Sequence, residues 1–153
     1  VDKTSEGIFF FFFFGLSYRE LDTDGRQFIF PTTTPTQFEP DEMRKSIARL
    51  LTYQPKSMYL THYGAVQHPE KLAQDFLRHL SAIVNMAEYV QSLGLDYDTR
   101  HQRLKEALRN YIVMQAQMFG CKLSADQVTE IFAGDIELNT QGMTVWLDSL
   151  AKH

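Results

Sequence analysis

Six consecutive phenylalanines, Phe9 to Phe14, constrain what this chain can fold into more than any other feature of its sequence. The apolar run from Ile8 to Phe14 shows no alternation of polar and apolar residues, which predicts a strand buried on both faces and ended by Gly15. The run is far too short to span a bilayer. Because it contains no charge and no proline, it would aggregate if exposed. The segment is therefore either deeply covered or altered.

Charge and cysteine content narrow the class of protein. The 153 residues carry a net charge of -4 with an isoelectric point near 5.7, which argues against a nucleic-acid-binding protein. One cysteine, Cys121, excludes an internal disulfide and a multi-cysteine zinc site. The first six residues lack the positive character of a signal peptide. These features predict a cytoplasmic protein of one domain, without membrane partners.

Turn-forming residues dominate the stretch from Gly15 to Glu39 and predict a loop. Asp22 to Gly25 reads as a turn, because a calcium loop would place its glycine later and end on glutamate. Gln27 to Phe30 predicts a short strand that Pro31 stops.

A helix between two strands is predicted next, which is typical of a crossover unit in an α/β fold. Pro40 suits the first turn of a helix, and Pro55 stops it. The predicted buried face of this helix consists of Met43, Ile47, Leu50 and Leu51. Ser57 to Thr61 then predicts a buried strand, which we expect to share a sheet with Ile8 to Phe14, with the helix packed on that sheet.

The rest of the chain has helical periodicity. A long helix is predicted from Pro69 to Gly94, and a second from about Thr99 to Phe119. On the second helix one face carries Leu104, Leu108, Tyr111, Ile112 and Gln115. Ser124 and Gln127 form a capping-box pattern that opens a third helix. Gly134-Asp135 is predicted to be a C-cap followed by the N-cap of a last helix.

The histidines are the candidate ligands. His62 directly follows a predicted buried strand, and ligands in open α/β sheets bind at the carboxyl ends of strands. The alternative is a partly buried histidine hydrogen-bonded to a carbonyl, and the position alone favours this alternative. His68 is predicted to cap the helix at Pro69, and His79 and His101 to lie on solvated helix faces. Cys121 has no histidine arranged beside it, so a structural thiol is predicted.

Four segments together are similar to the later half of metallo-β-lactamase-fold hydrolases. They are Gly7 to Phe9, Phe14 to Glu20, Phe28 to Pro35 and Tyr59 to Gly64. The resemblance implies an α/β fold: the later half of a metallo-β-lactamase-like αββα sandwich (residues 1-68), followed by a helical C-terminal extension packed on it (residues 69-153). It implies hydrolysis of a thioester, ester or lactone by a metal-bound hydroxide.

The resemblance also implies which residues are missing. It makes His62 a ligand of the second metal ion and places Phe10 to Phe13 where the family has Thr-Gly-Asp-Thr, with Phe12 at the metal-bridging aspartate. Phenylalanine has no lone pair for a metal. The family's His-x-His-x-Asp-His cluster is absent from the chain. We therefore assign no catalytic and no cofactor-binding residue, and we expect an incomplete active site that does not hold zinc, or another divalent metal pair, tightly.

Three interpretations stay open. The chain is a part of a metal-dependent hydrolase in which the Phe run is an engineered, erroneous or degenerate replacement. Alternatively, it is a catalytically dead relative that serves as a binding or dimerisation module, or a helix-rich domain with structural similarity only. The family implies a small-molecule substrate, and the amphipathic C-terminal helices leave a homo-oligomer open. The sequence identifies neither the substrate nor the metal.

Overall fold

A computed structural model of the chain describes residues 8–11, 15–19, 28–33, 38–55, 57–60 and 64–151. These residues form five strands and five helices. In chain order they are β1 (Ile8–Phe11), β2 (Gly15–Arg19), β3 (Phe28–Thr32), α1 (Pro40–Leu51), β4 (Ser57–Leu60), β5 (Gly64–Gln67), α2 (Pro69–Ser92), α3 (Tyr97–Met118), α4 (Ala125–Ile131) and α5 (Ala133–Leu150).

The predicted αββα sandwich is wrong. Most of the described residues are helical, and the strands are only four or five residues long. α1 packs chiefly against α2 rather than on a sheet. The physical reason is the long amphipathic periodicity after Pro69, because faces that wide bury their apolar residues against one another. The fold is therefore helix-dominated.

The strands form two small sheets. β4 is the central strand of the first sheet, pairing with β1 in parallel and with β5 in antiparallel orientation. The two segments expected to share a sheet thus do pair, with Ile8 opposite Ser57 and Phe11 opposite Leu60. β2 and β3 form an antiparallel pair, with Gly15 opposite Thr32. The sequence did not predict β2 and β5, and β3 continues through Pro31 instead of stopping before it.

The predicted helices are present close to their expected bounds. α1 begins at Pro40 and buries Met43 and Ile47. α2 ends two residues before Gly94, which has a positive φ of 64°. The capping box of Ser124 and Gln127 opens α4. The predicted caps at Gly134-Asp135 are wrong, because α5 begins at Ala133 and includes both residues.

β3 is enclosed by helices. Phe28 and Phe30 are buried, and their rings contact aromatic rings of α3 and of the residues that end α3 and α4. On the other side β3 meets α5, where the side chain of the buried Asn139 hydrogen-bonds to the strand backbone as a neighbouring strand would. The Asn139 amide accepts a hydrogen bond from the Thr33 backbone N–H at 2.5 Å and donates one to the Pro31 carbonyl at 3.1 Å.

This contact requires a glycine on α5. A Cβ atom at Gly142 would lie 2.2 Å from the Thr33 carbonyl oxygen, far inside van der Waals contact. The strand and the helix therefore approach each other more closely than any side chain at this position allows. In the part of the chain that the structure describes, no helix is long and apolar enough to cross a membrane.

Candidate functional site

The predicted metal ligand, His62, lies outside the described residues, as do Phe12 and Phe13. The strands that precede these positions are described. Phe11 ends β1 opposite Leu60, which ends β4, and the two strands run parallel. Both strands therefore end at the same edge of the sheet.

The residues present do not fit a pair of metal ions. Among the described residues no group of three histidine, cysteine, aspartate or glutamate side chains lies close enough together to hold one ion. Phe10 and Phe11, in β1, offer no donor atom. Catalytic zinc sites ordinarily use three protein ligands. No hydrolytic step follows from these residues.

A different polar cluster lies inside the helical part, around His79 of α2. The prediction that His79 lies on a solvated face is wrong, because its side chain is 2% exposed. The rings of Phe28 and Phe30 cover it, with centroids 5.9 and 5.3 Å from that of the imidazole. His79 Nδ1 lies 2.9 Å from the Tyr111 hydroxyl, and Nε2 lies 3.3 Å from Nη2 of Arg78.

The partners of His79 determine its tautomer. A guanidinium can only donate hydrogen bonds, so Nε2 must accept from Arg78 and the proton resides on Nδ1, which donates to the Tyr111 hydroxyl. This is a neutral imidazole. Burial lowers the pKa of His79 to about 4, and the charge of Arg78 adds to the effect. Burial also raises the pKa of Tyr111, so both groups are neutral at pH 7.

Arg78 connects this cluster to a cavity of about 330 Å³ between β3, α2 and α3, which we call the Arg78 cavity. Its lining consists of Phe28, Ile29, Asp75, Arg78, His79, Gln115, Met118 and Phe119. Arg78 Nη1 donates to Gln115 Oε1 at 2.6 Å. The Asp75 carboxylate lies 3.7 Å from Nη2, beyond hydrogen-bond distance. The cavity thus combines one positioned guanidinium with apolar walls.

A second concave surface, the α3–α5 cleft, has a volume of about 510 Å³. It is lined by Tyr97, Asp98, His101, Gln102, Glu137, Gln141 and Val145. Glu137 accepts hydrogen bonds from Lys105 at 2.6 Å and from Gln141 at 2.9 Å. The Lys105 hydrogen bond is the main reason why the pKa of Glu137 is lowered. The charge of Glu137 is therefore paired within the protein.

Sequence reasoning missed Arg78, Tyr111 and Gln115 as parts of a site. One signal was present: Gln115 lies on the predicted apolar face of α3, where a polar side chain needs a buried partner. The signal did not identify that partner, because Arg78 lies 37 residues away. His68 holds the predicted N-cap position of α2, but its side chain makes no capping hydrogen bond. Cys121 is a half-buried free thiol.

Comparison with protein-family models, with curated proteins and with solved structures finds no significant match for this chain.

Proposed function

We propose that this chain is a non-catalytic part of a metal-dependent hydrolase of the metallo-β-lactamase superfamily, whose members cleave thioesters, esters or lactones with a metal-bound hydroxide. The pairing of β1 with β4 is the observation that supports the proposal best. Along the chain, Phe10 to Phe13 overlap the end of β1 and His62 follows the end of β4, and both strands end at one sheet edge. Ligand sites form where parallel strands end. The helical part of the chain lends the proposal no support, because the fold is helix-dominated and not an αββα sandwich.

The absence of activity follows from the residues themselves. Phe10 to Phe13 occupy the positions of the metal-bridging element in the resemblance. His62 alone supplies one imidazole, whereas a catalytic zinc ion needs about three protein ligands. We therefore expect the purified chain to bind less than one equivalent of zinc tightly and to hydrolyse none of the family's substrate classes.

Metal titration of a restored variant tests the proposal. The variant carries Phe10→Thr, Phe11→Gly, Phe12→Asp and Phe13→Thr. We expect it to bind Co²⁺ more tightly than the native chain, because the resemblance assigns the aspartate at position 12 and His62 to one metal site. Isothermal titration and cobalt absorption spectra measure this gain. Adding His62→Ala should abolish it, and adding His68→Ala, the matched control, should not.

Two results would contradict the proposal. One is metal analysis that finds two tightly held ions in the native chain. The other is a gain in Co²⁺ binding that persists in the His62→Ala background, because the new aspartate would then act with residues other than those the resemblance implies.

A binding or dimerisation module is the second candidate, and the α3–α5 cleft favours it. Tyr97 and Val145, which line this cleft, are large apolar side chains that are exposed on α3 and α5. Two copies of the chain could bury this surface against each other. Light scattering after size exclusion should then show a dimer that Val145→Glu converts to monomer. Leu93→Glu, an exposed apolar position at the end of α2, is the matched control and should leave the dimer intact. A monomeric native chain would contradict this candidate.

A further inference from the structure

We propose that the Arg78 cavity binds a small organic carboxylate with an apolar or aromatic body. The inference is independent of the proposed hydrolase ancestry, because it rests on α2, α3 and β3 alone. Two properties of the cavity support it: a guanidinium whose charge is not neutralised by a hydrogen-bonded carboxylate, and apolar walls around it.

The two side-chain hydrogen bonds of Arg78 go to neutral partners, and the nearby Asp75 carboxylate lies 3.7 Å from Nη2. Gln115 Oε1 accepts from Nη1, and His79 Nε2 accepts from Nη2. The guanidinium has more N–H donors than these two hydrogen bonds use. A carboxylate can engage such donors in a bidentate pair, which is the strongest ordinary hydrogen-bonded contact of arginine.

Asp75 does not replace this ligand. Its carboxylate lies 3.7 Å from Arg78 Nη2, and both side chains are about half-exposed. Such a surface ion pair contributes little, roughly 0–1 kcal/mol. A ligand carboxylate that hydrogen-bonds directly to the guanidinium therefore has only a weak ion pair to displace.

His79 and Gln115 position the guanidinium from inside the protein. The imidazole is enclosed by Phe28 and Phe30 and is fixed at its other nitrogen by Tyr111. Because this imidazole is neutral at pH 7, it accepts a hydrogen bond from Arg78 and does not repel it. Arg78 is thus pre-organised, which reduces the entropy lost when a ligand binds.

The apolar walls select the body of the ligand. Phe28 and Phe119 meet edge to face with centroids 5.4 Å apart, and Ile29 and Met118 complete the apolar lining. Met118 is 75% exposed, and its flexible thioether can adapt to the ligand. A volume of about 330 Å³ lies near the lower end of small-molecule sites. It suits one short acid and not a peptide.

Titration of the full chain with phenylacetate and with phenylacetamide tests the inference. The two probes have similar shapes, but only the acid carries a charge. Two-dimensional NMR spectra should show saturable shifts at the residues of the Arg78 cavity with the acid, and much weaker binding of the amide. In Arg78→Gln we expect the affinity for the acid to fall by roughly tenfold or more. Arg103→Gln, at another exposed arginine of the helical part, should bind like the native chain.

A second pair of variants keeps the test independent of Arg78. Met118→Glu places a carboxylate at an exposed position of the lining, so it should fold normally and weaken binding of the acid by repulsion. Met118→Gln, its uncharged counterpart, should weaken binding much less. The inference is overturned if the native chain does not bind phenylacetate, if the amide binds as well as the acid, if Arg78→Gln binds normally, or if the shifts lie in the α3–α5 cleft.

Discussion

The Arg78 cavity and the α3–α5 cleft are each lined by a histidine on a helix, His79 and His101. Each histidine has a basic residue within four positions along the chain, Arg78 and Lys105, yet the two regions differ in charge and burial. His79 is enclosed by Phe28 and Phe30 of β3. His101 lies between helices, 3.3 Å from the Thr144 hydroxyl and 3.8 Å from the Glu137 carboxylate. The two histidines therefore differ because aromatic rings of β3 cover His79, whereas a hydroxyl and a carboxylate lie beside His101.

The basic residues differ in the same way. Lys105 donates to the carboxylate of Glu137 at 2.6 Å, so its charge is neutralised by a hydrogen-bonded partner within the cleft. Arg78 donates to an amide oxygen and an imidazole nitrogen, which are uncharged. Both cations therefore join two helices, but Lys105 does so through a carboxylate, whereas Arg78 does so through an uncharged amide and also lines a cavity.

Separating β3 from α5 should have the largest effect on stability, because β3 is the strand that covers His79. Gly142→Ala places a Cβ atom 2.2 Å from the Thr33 carbonyl oxygen, and we expect a loss of about 3 kcal/mol in the free energy of unfolding. Urea denaturation measures it. Gly134→Ala is the matched control on the same helix, with nothing within 4 Å of the added Cβ atom. It should be neutral or stabilising by about 0.5 kcal/mol. Equal stability of the two variants would contradict the described docking of β3.

Lowering the pH should have the second-largest effect on stability, and it should act through His79 of the Arg78 cavity. The folded chain lowers the pKa of His79 from 6.5 to about 4, so the unfolded chain binds this proton more readily between those values. Stability is therefore complete above pH 6.5 and falls as the pH drops toward 4. At pH 5 the loss relative to pH 7.5 should be about 2 kcal/mol.

The variant His79→Gln isolates this effect, because glutamine cannot titrate. Its free energy of unfolding is expected to be lower than that of the native chain at pH 7, but its change between pH 7.5 and pH 5 should be smaller by about 2 kcal/mol. Urea denaturation at the two pH values gives both quantities. A pH dependence equal to that of the native chain would show that His79 is not buried as a neutral group.

The smallest effect is expected in the α3–α5 cleft. Lys105→Gln removes the hydrogen bond that lowers the pKa of Glu137, so this pKa should rise in NMR titrations of the carboxyl carbon. Because both side chains are partly exposed, stability should fall by less than about 1 kcal/mol. Lys45→Gln, which breaks the exposed pair with Glu42, is the matched control and should leave Glu137 unaffected. An unchanged pKa of Glu137 would contradict the assigned hydrogen bond.

The helices were predictable because their signals are local. Pro40 and Pro69 begin α1 and α2, Gly94 follows the end of α2, and the Ser124–Gln127 capping box opens α4. Each signal lies within one turn of the boundary that it marks. The buried faces of these helices follow from apolar residues at helical spacing.

The candidate site was not predictable because its contacts join distant residues. Periodicity places His79 on α2 but does not show that β3 covers it. Gln115 and Arg78 meet across 37 residues, and neither has a motif around it. The prediction of the fold class was wrong for a related reason. The short strands before α2 were interpreted as half of a sandwich, although four of the five described helices follow them.

The contact between Thr33 and Asn139 also has a kinetic consequence, since it joins residues 106 positions apart. Closing so long a loop costs entropy that local contacts do not require. The pairs α2–α3 and α3–α4 join neighbours along the chain, so we expect them to form early by comparison. We therefore expect the contact between Thr33 and Asn139 to form late in folding, after α5 has formed.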